Sequence, residues 1–237
     1  MNVLRSKIIL LITLLLSGCM TVAEKEAIEV LPMYGQPQLA RSDYLQREDA
    51  AFVKQEGYRY RGDLKRASRE WSRQALDILR LGDLDAAMRR LNQAWLLDPA
   101  NYQVYWGFGQ VLVLRDDLAG AAGYLEQALH IVDDVYQKPA LLTDTGTVYS
   151  LQGEQAESAR IGQGVALFDR ANARFAAAVA LDGDYLPVWQ RWARSLYRQG
   201  DYASAWDKIR QARQRGVKVF SGDFLQALSA RLPEPVN

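Results

Sequence analysis

Trp71-Ser72-Arg73-Gln74-Ala75-Leu76-Asp77-Ile78, followed by Gly82-Asp83-Leu84 and then by Ala87, Leu91, Ala94 and Leu97-Asp98-Pro99, is the stretch that decides the fold. Its apolar residues recur three and four apart on both sides of a Gly-Asp break, which predicts two amphipathic helices folded back on each other. Moving 34 residues along the chain puts Tyr105, Phe108-Gly109, Leu112, Leu118, Ala121, Leu125 and Ala128 at equivalent places, with Asp133 where the closing proline would stand. A further unit at 186–219 carries Trp189, Trp192-Ala193, Leu196, Gly200-Asp201-Tyr202, Ala205, Ile209 and Ala212, again without the proline. Between them, Leu142, Gly146, Tyr149 and Gly153 supply a first helix, and Phe168, Ala171, Phe175, Ala178 and Leu181-Asp182 a second. This pair fits the period only if 13 extra residues, 155–167, sit between its helices.

The spacing has a physical cause. Small residues such as Ala87, Ala121, Ala171 and Ala205 let antiparallel helices approach closely, while Trp, Tyr, Phe and Leu fill the space between hairpins. One hairpin alone leaves an apolar face in water, so hairpins stack and the stack needs ends that are polar outside. At the C-terminal end, residues 221–231, with Ser221 as cap and Phe224, Leu225 and Leu228 on one face, read as a terminal helix stopped by Pro233 and Pro235. At the other end, residues 42–56 read as an additional helix capped by Ser42, joined to the first unit by an irregular segment around Gly57 and Gly62. No alternation of Val, Ile and Thr runs between residues 60 and 230, so no sheet is needed.

These units resemble the tetratricopeptide repeat (TPR) at nearly every position of the first and most positions of the others. The resemblance implies an all-α, right-handed solenoid of about four hairpins, with repeats at 68–101, 102–135, 139–185 (insertion 155–167) and 186–219. An N-terminal helical extension would occupy 41–67, and a capping helix and tail 220–237.

The first 18 residues have a different character. Arg5 and Lys7 precede the apolar run Ile8-Ile9-Leu10-Leu11-Ile12-Thr13-Leu14-Leu15-Leu16, and Ser17 and Gly18 follow, the layout of an export signal. Nine residues make a helix of roughly 14 Å, about half a hydrocarbon core. Leu16-Ser17-Gly18-Cys19 resembles the bacterial lipoprotein box, which implies a signal peptide over 1–18, cleavage between Gly18 and Cys19, and acylation of Cys19. Cys19 is the only cysteine, so no thiol remains for a disulfide or a metal. Met20 rather than Asp after the cysteine implies, by the same resemblance, the outer membrane and a periplasmic face. Residues 19–40, with Pro32, Gly35 and Pro37, read as the lipidated N-terminus and a tether, or as a segment lying along the first hairpin.

Composition excludes some functions. Lys plus Arg is 29 against 28 for Asp plus Glu, and without residues 1–18 it is 27 against 28, so there is no basic excess to seek nucleic acid. His130 is the single histidine and lies beside Asp133 and Asp134, where a solvated or capping role is ordinary. No second His or Cys completes a zinc site, and Gly107-Phe108-Gly109 and Gly162-Gln163-Gly164 lack the strand and lysine of a phosphate loop. No catalytic residue, metal, cofactor or small-molecule substrate is expected.

The TPR resemblance assigns the groove to positions 2, 5, 9, 12 and 13 of each repeat's first helix. These include Arg69, Ser72, Arg80, Gln103, Trp106, Gln110, Thr143, Thr147, Gln190, Arg194, Tyr197 and Arg198, a set able to stack on and hydrogen-bond to an extended peptide, or else simply solvated. The insertion 155–167 reads as a contact loop, with a tolerated surface loop or extra turns on the following helix as the alternatives. TPR lipoproteins such as the pilotins of type IV pili and the helpers of outer-membrane barrel assembly are similar in plan. The resemblance therefore implies a non-enzymatic scaffold for a protein or peptide partner in the periplasm, in assembly of an envelope or pilus-type complex, or an accessory regulator of cell-wall or glycan-processing enzymes.

Overall fold

The computed structural model describes residues 22–217 and 220–235. The signal segment, Gly18 and Cys19 lie outside the described residues, as do 218–219 and 236–237. Among the described residues the regular elements are all helical: α1 (Val22–Glu29), α2 (Asp43–Arg59), α3 (Leu64–Arg80), α4 (Leu84–Leu97), α5 (Tyr102–Leu114), α6 (Leu118–Ile131), α7 (Lys138–Ala159), α8 (Val165–Leu181), α9 (Leu186–Arg198), α10 (Tyr202–Gln214) and α11 (Gly222–Arg231). None is long and apolar enough to cross a membrane.

Helices α3/α4, α5/α6, α7/α8 and α9/α10 form four antiparallel hairpins, and each second helix also packs on the first helix of the next hairpin. The turns are set locally. Gly82 and Gly200 take φ of 87° and 79°, which only glycine adopts without strain, and Asp116 takes the same place at 61°. The aspartate that follows caps the next helix: Asp83, Asp117 and Asp201 accept from the backbone N–H groups of Ala86, Gly120 and Ser204 at 2.9–3.1 Å. Ala87, Ala121, Ala171 and Ala205 are completely buried, as close helix approach requires. At Gly109 an added Cβ would stand 2.7 Å from Leu125 and 3.3 Å from the Ala121 carbonyl, so this crossing admits only hydrogen.

Buried polar groups join the first two hairpins. The fully buried Ser68 hydroxyl donates to Ala94 O at 2.8 Å and accepts from Asn101 Nδ2 at 2.9 Å, and Asn101 also reaches the Ser72 hydroxyl at 3.2 Å. Ser72 is therefore part of the seam and not of the groove. Helix α2 covers the outer face of the first hairpin: Phe52 meets Trp71 edge to face at 5.0 Å, and the Trp71 indole donates to the buried Glu56 carboxylate at 2.9 Å. It continues through Gly57 as far as Arg59, and the turn to α3 rests on Gly62, at φ 86°.

The reading of residues 19–40 as a tether is corrected wherever they are described. Residues 22–42 form a strap against the stack, with α1, a left-handed turn at Met33–Tyr34–Gly35 and a buried Tyr34 whose ring lies under Arg41 at 3.7 Å. Asn92, wholly buried in α4, donates to both Glu29 O and Leu31 O at 2.8 Å. Arg115 donates to Val30 O at 2.7 Å and to Asp85 at 2.6 Å. The 155–167 loop is corrected as well. Residues up to Ala159 extend α7, α8 begins at Val165, and only 160–164 turn between them. Glu157 closes that turn by accepting from the N–H groups of Gly162 and Gly164 at 2.8 and 3.0 Å. Ser221 stands at the cap position of α11 without a capping hydrogen bond from its side chain.

Candidate groove

Because every hairpin folds back on itself and packs on the next, helices α3, α5, α7 and α9 line one side of the stack in parallel. The centre of that side is a carboxylate with donors from both flanks. Asp144 on α7 accepts from the Trp106 indole N–H at 2.8 Å and, at 3.5 Å, from Gln110, both on α5. From α9, Arg191 donates to its other oxygen at 2.6 Å and comes within 3.5 Å of the Thr147 hydroxyl. Asp144 keeps 19% of its side chain exposed and Arg191 43%, so the cluster is open to solvent on one side. Trp106 is thereby held in a fixed orientation at the groove wall, half-buried.

At the N-terminal end the groove widens into a concavity of about 570 Å³ lined by Arg59, Tyr60, Arg66, Arg69, Glu70, Arg73, Gln74 and Gln103. Its charge is lopsided. Glu70 is its one acid, and Arg73 grips it with two nitrogens, at 2.7 and 3.3 Å, and reaches Asp77 at 3.0 Å. Among the described residues neither Arg66 nor Arg69 makes a close ion pair, Arg66 acting on Glu70 only through its charge, and both are exposed.

The expected groove residues separate accordingly. Arg69 and Gln103 line the concavity, while Trp106, Gln110 and Thr147 meet at the Asp144 cluster. Thr143 does not line the groove: it is fully buried, its hydroxyl donating to Pro139 O at 2.7 Å within its own helix. Arg80 stands away at the end of α3, paired with Asp77 at 2.5 Å. Towards the C-terminal end, Gln190 is half-buried on α9, Arg194 lies over the Phe224 ring at 4.7 Å, and Tyr197 packs on Tyr202 and Phe224. Arg198 pairs with Glu154 at 2.9 Å across α9 and α7. Asp144, Arg191, Arg66 and Arg73 are the site residues that reading by position missed. Positions 2, 6, 9 and 13 share one face of a helix, and Arg73, Asp144 and Arg191 all stand at position 6 of their repeats, a signal present in the sequence.

Elsewhere on α7, the Tyr149 hydroxyl donates to Glu126 at 2.8 Å, Arg174 forks onto the same carboxylate at 2.7–3.1 Å, and Arg170 reaches the Tyr149 oxygen. Burial, reinforced by the Glu126 carboxylate, pushes the Tyr149 phenol up to about 12. His130 is exposed in the last turn of α6. Among the described residues no group of His, Cys, Asp and Glu is arranged to hold a metal ion.

No protein-family model matches the chain, and no curated protein matches it. Solved structures do. A thermophilic TPR protein from Thermus thermophilus is similar with a TM-score of 0.57 and 15% identity, over 69% of this chain and 80% of that one. A crystal structure of MamA is similar with a TM-score of 0.50 and 14% identity, over 83% and 95%. At such identities the likeness establishes the fold alone: this chain is an all-helical solenoid of the TPR type.

Proposed function

We propose that the protein is a non-enzymatic scaffold whose groove holds an extended segment of a protein partner, acidic where it meets the N-terminal concavity. The observation behind this is the pair of exposed guanidinium groups, Arg66 and Arg69, outside any close ion pair and beside Gln103 in the concavity, with the Trp106 indole held further along the same helix as Gln103. Guanidinium forks match carboxylates, and an immobilised aromatic side chain contributes contact area with little further loss of entropy. Nothing along this line pairs a nucleophile with a base, so recognition without turnover is the chemistry that fits. The scaffold is anchored through acylated Cys19 in the bacterial envelope, at the periplasmic face of the outer membrane, in keeping with the Leu16-Ser17-Gly18-Cys19 box.

The test compares a soluble form beginning at Thr21 with an Arg66→Glu, Arg69→Glu, Trp106→Ala variant, by circular dichroism and by capture from envelope extract. The variant is expected to remain folded and to lose the captured protein, whose identity separates a complex-assembly component from a cell-wall or glycan-processing enzyme. Capture of the same proteins at the same yield would refute the groove. For the anchor, Cys19→Ser is expected to leave an unprocessed precursor that incorporates no labelled fatty acid. Normal processing and labelling would refute it.

A further inference from the structure

We infer that the edge of the solenoid formed by the turns within its hairpins lies against the lipid surface, so that the groove runs along the bilayer. This rests on the acyl anchor proposed above. The turns α3–α4, α5–α6 and α7–α8 all fall on one edge, because the first helices of the hairpins are parallel. The apolar side chains at those turns are turned into water: Leu81 is 87% exposed, Leu114 59%, Ile161 91% and Val165 57%. Each is more than half exposed, whereas hairpin turns ordinarily favour polar residues.

The strap indicates what covers them. Arg115, in the second of these turns, holds Val30 O and Asp85 at the start of α4, just past the first turn, so the strap crosses this edge. Lys25 of α1 pairs with Glu48 at 2.8 Å and lies over Tyr44 at 5.9 Å. Both belong to the start of α2, which runs back antiparallel to α3 and so begins at the same edge. Cys19 precedes Val22 by three residues, at most about 11 Å of extended chain. An acyl chain on Cys19 therefore draws this edge to the membrane, and the exposed aliphatic tips are the groups that would enter the headgroup boundary. The opposite edge, carrying Val135, Tyr136 and Leu181, would face away.

The experiment uses the full lipidated chain in phosphatidylethanolamine–phosphatidylglycerol vesicles, its single cysteine consumed by acylation. Leu81→Cys, Leu114→Cys and Ile161→Cys are spin-labelled on one edge, and Val135→Cys, Tyr136→Cys and Leu181→Cys on the other. Collision with oxygen is compared with collision with a water-soluble nickel chelate. The expected result is a shift towards oxygen at 81, 114 and 161, with 135, 136 and 181 remaining open to the chelate. Vesicle-attached protein with equal access at both edges, or with the opposite edge protected, overturns the orientation alone. Protection at 81, 114 and 161 that persists in acylated protein held away from vesicles marks a contact between copies and also overturns it. Protein that fails to incorporate fatty acid and to float with vesicles overturns both this inference and the anchor.

Discussion

Tyr149 gives the stack a titration that can be read in solution. Its phenol, pushed from 10.0 up to about 12 by burial and by Glu126, keeps its proton in the folded state over a range where the unfolded chain has lost it. The folded state then binds more protons, so this stabilisation is complete below about pH 10 and disappears as the pH rises through 12. Urea midpoints measured between those limits are expected to fall with pH in the parent and to fall less steeply in Tyr149→Phe. Equal slopes would remove Tyr149 from the account. Residues of this kind explain what the sequence disclosed and what it did not. Trp106 and Gln103 follow from repeat register alone, as do the buried alanines. Asp144 and Arg191 do not, because position 6 holds Arg73, Gly107, Asp144 and Arg191 in successive repeats, and a pattern so unlike itself reads as unconstrained surface until the helices are side by side. Thr143 failed for the opposite reason: a hydroxyl that returns to the carbonyl four residues back can be buried at no loss of hydrogen bonding, so polarity gave no warning of its burial.

Among the elements, the hairpins were legible because their spacing is a packing requirement repeated four times. The strap was not, because Asn92 and Arg115 hold it by its backbone carbonyls, which leave no pattern in side-chain type. Asn92 takes the two carbonyls at Glu29 and Leu31 while sitting among apolar neighbours on α4, where Leu or Ala would serve the hairpin equally well. Asn92→Leu therefore removes the Glu29 carbonyl's donor and leaves Leu31 O only the Tyr34 N–H, at a cost of about 1 to 3 kcal/mol concentrated on the strap. Hydrogen exchange is expected to speed up across residues 22–42 while α5–α10 remain protected as before. Uniform change along the chain, or none, would contradict the role given to Asn92. The extra turns of α7 escaped sequence reading because Gln155, Ala156, Glu157 and Ser158 suit an exposed helix and a polar loop alike.

At the scale of the molecule, a stack of hairpins is as stable as its ends allow. Helix α11 closes one end, with Phe224 and Leu228 packed with Leu196, Trp206 and Ile209. Ending the chain after Val217 uncovers that surface, and sedimentation is expected to become concentration-dependent as copies stack end to end. A truncated chain that stays monomeric with an unchanged melting temperature would show that α11 is not a cap. The other end is closed by segments that precede the repeats, with a consequence in time rather than in space. Any chain leaves the ribosome or a translocation channel N-terminus first. The strap's partners follow far behind: Asn92 lies 63 and 61 residues after the carbonyls it binds, and Arg115 lies 85 after Val30. Until α4 has emerged the Glu29 and Leu31 carbonyls lack Asn92, and Val30 waits longer still, for the end of α5. Whatever enzyme works on the N-terminus meets the strap before these bonds close, and the strap is docked on the stack once Arg115 arrives.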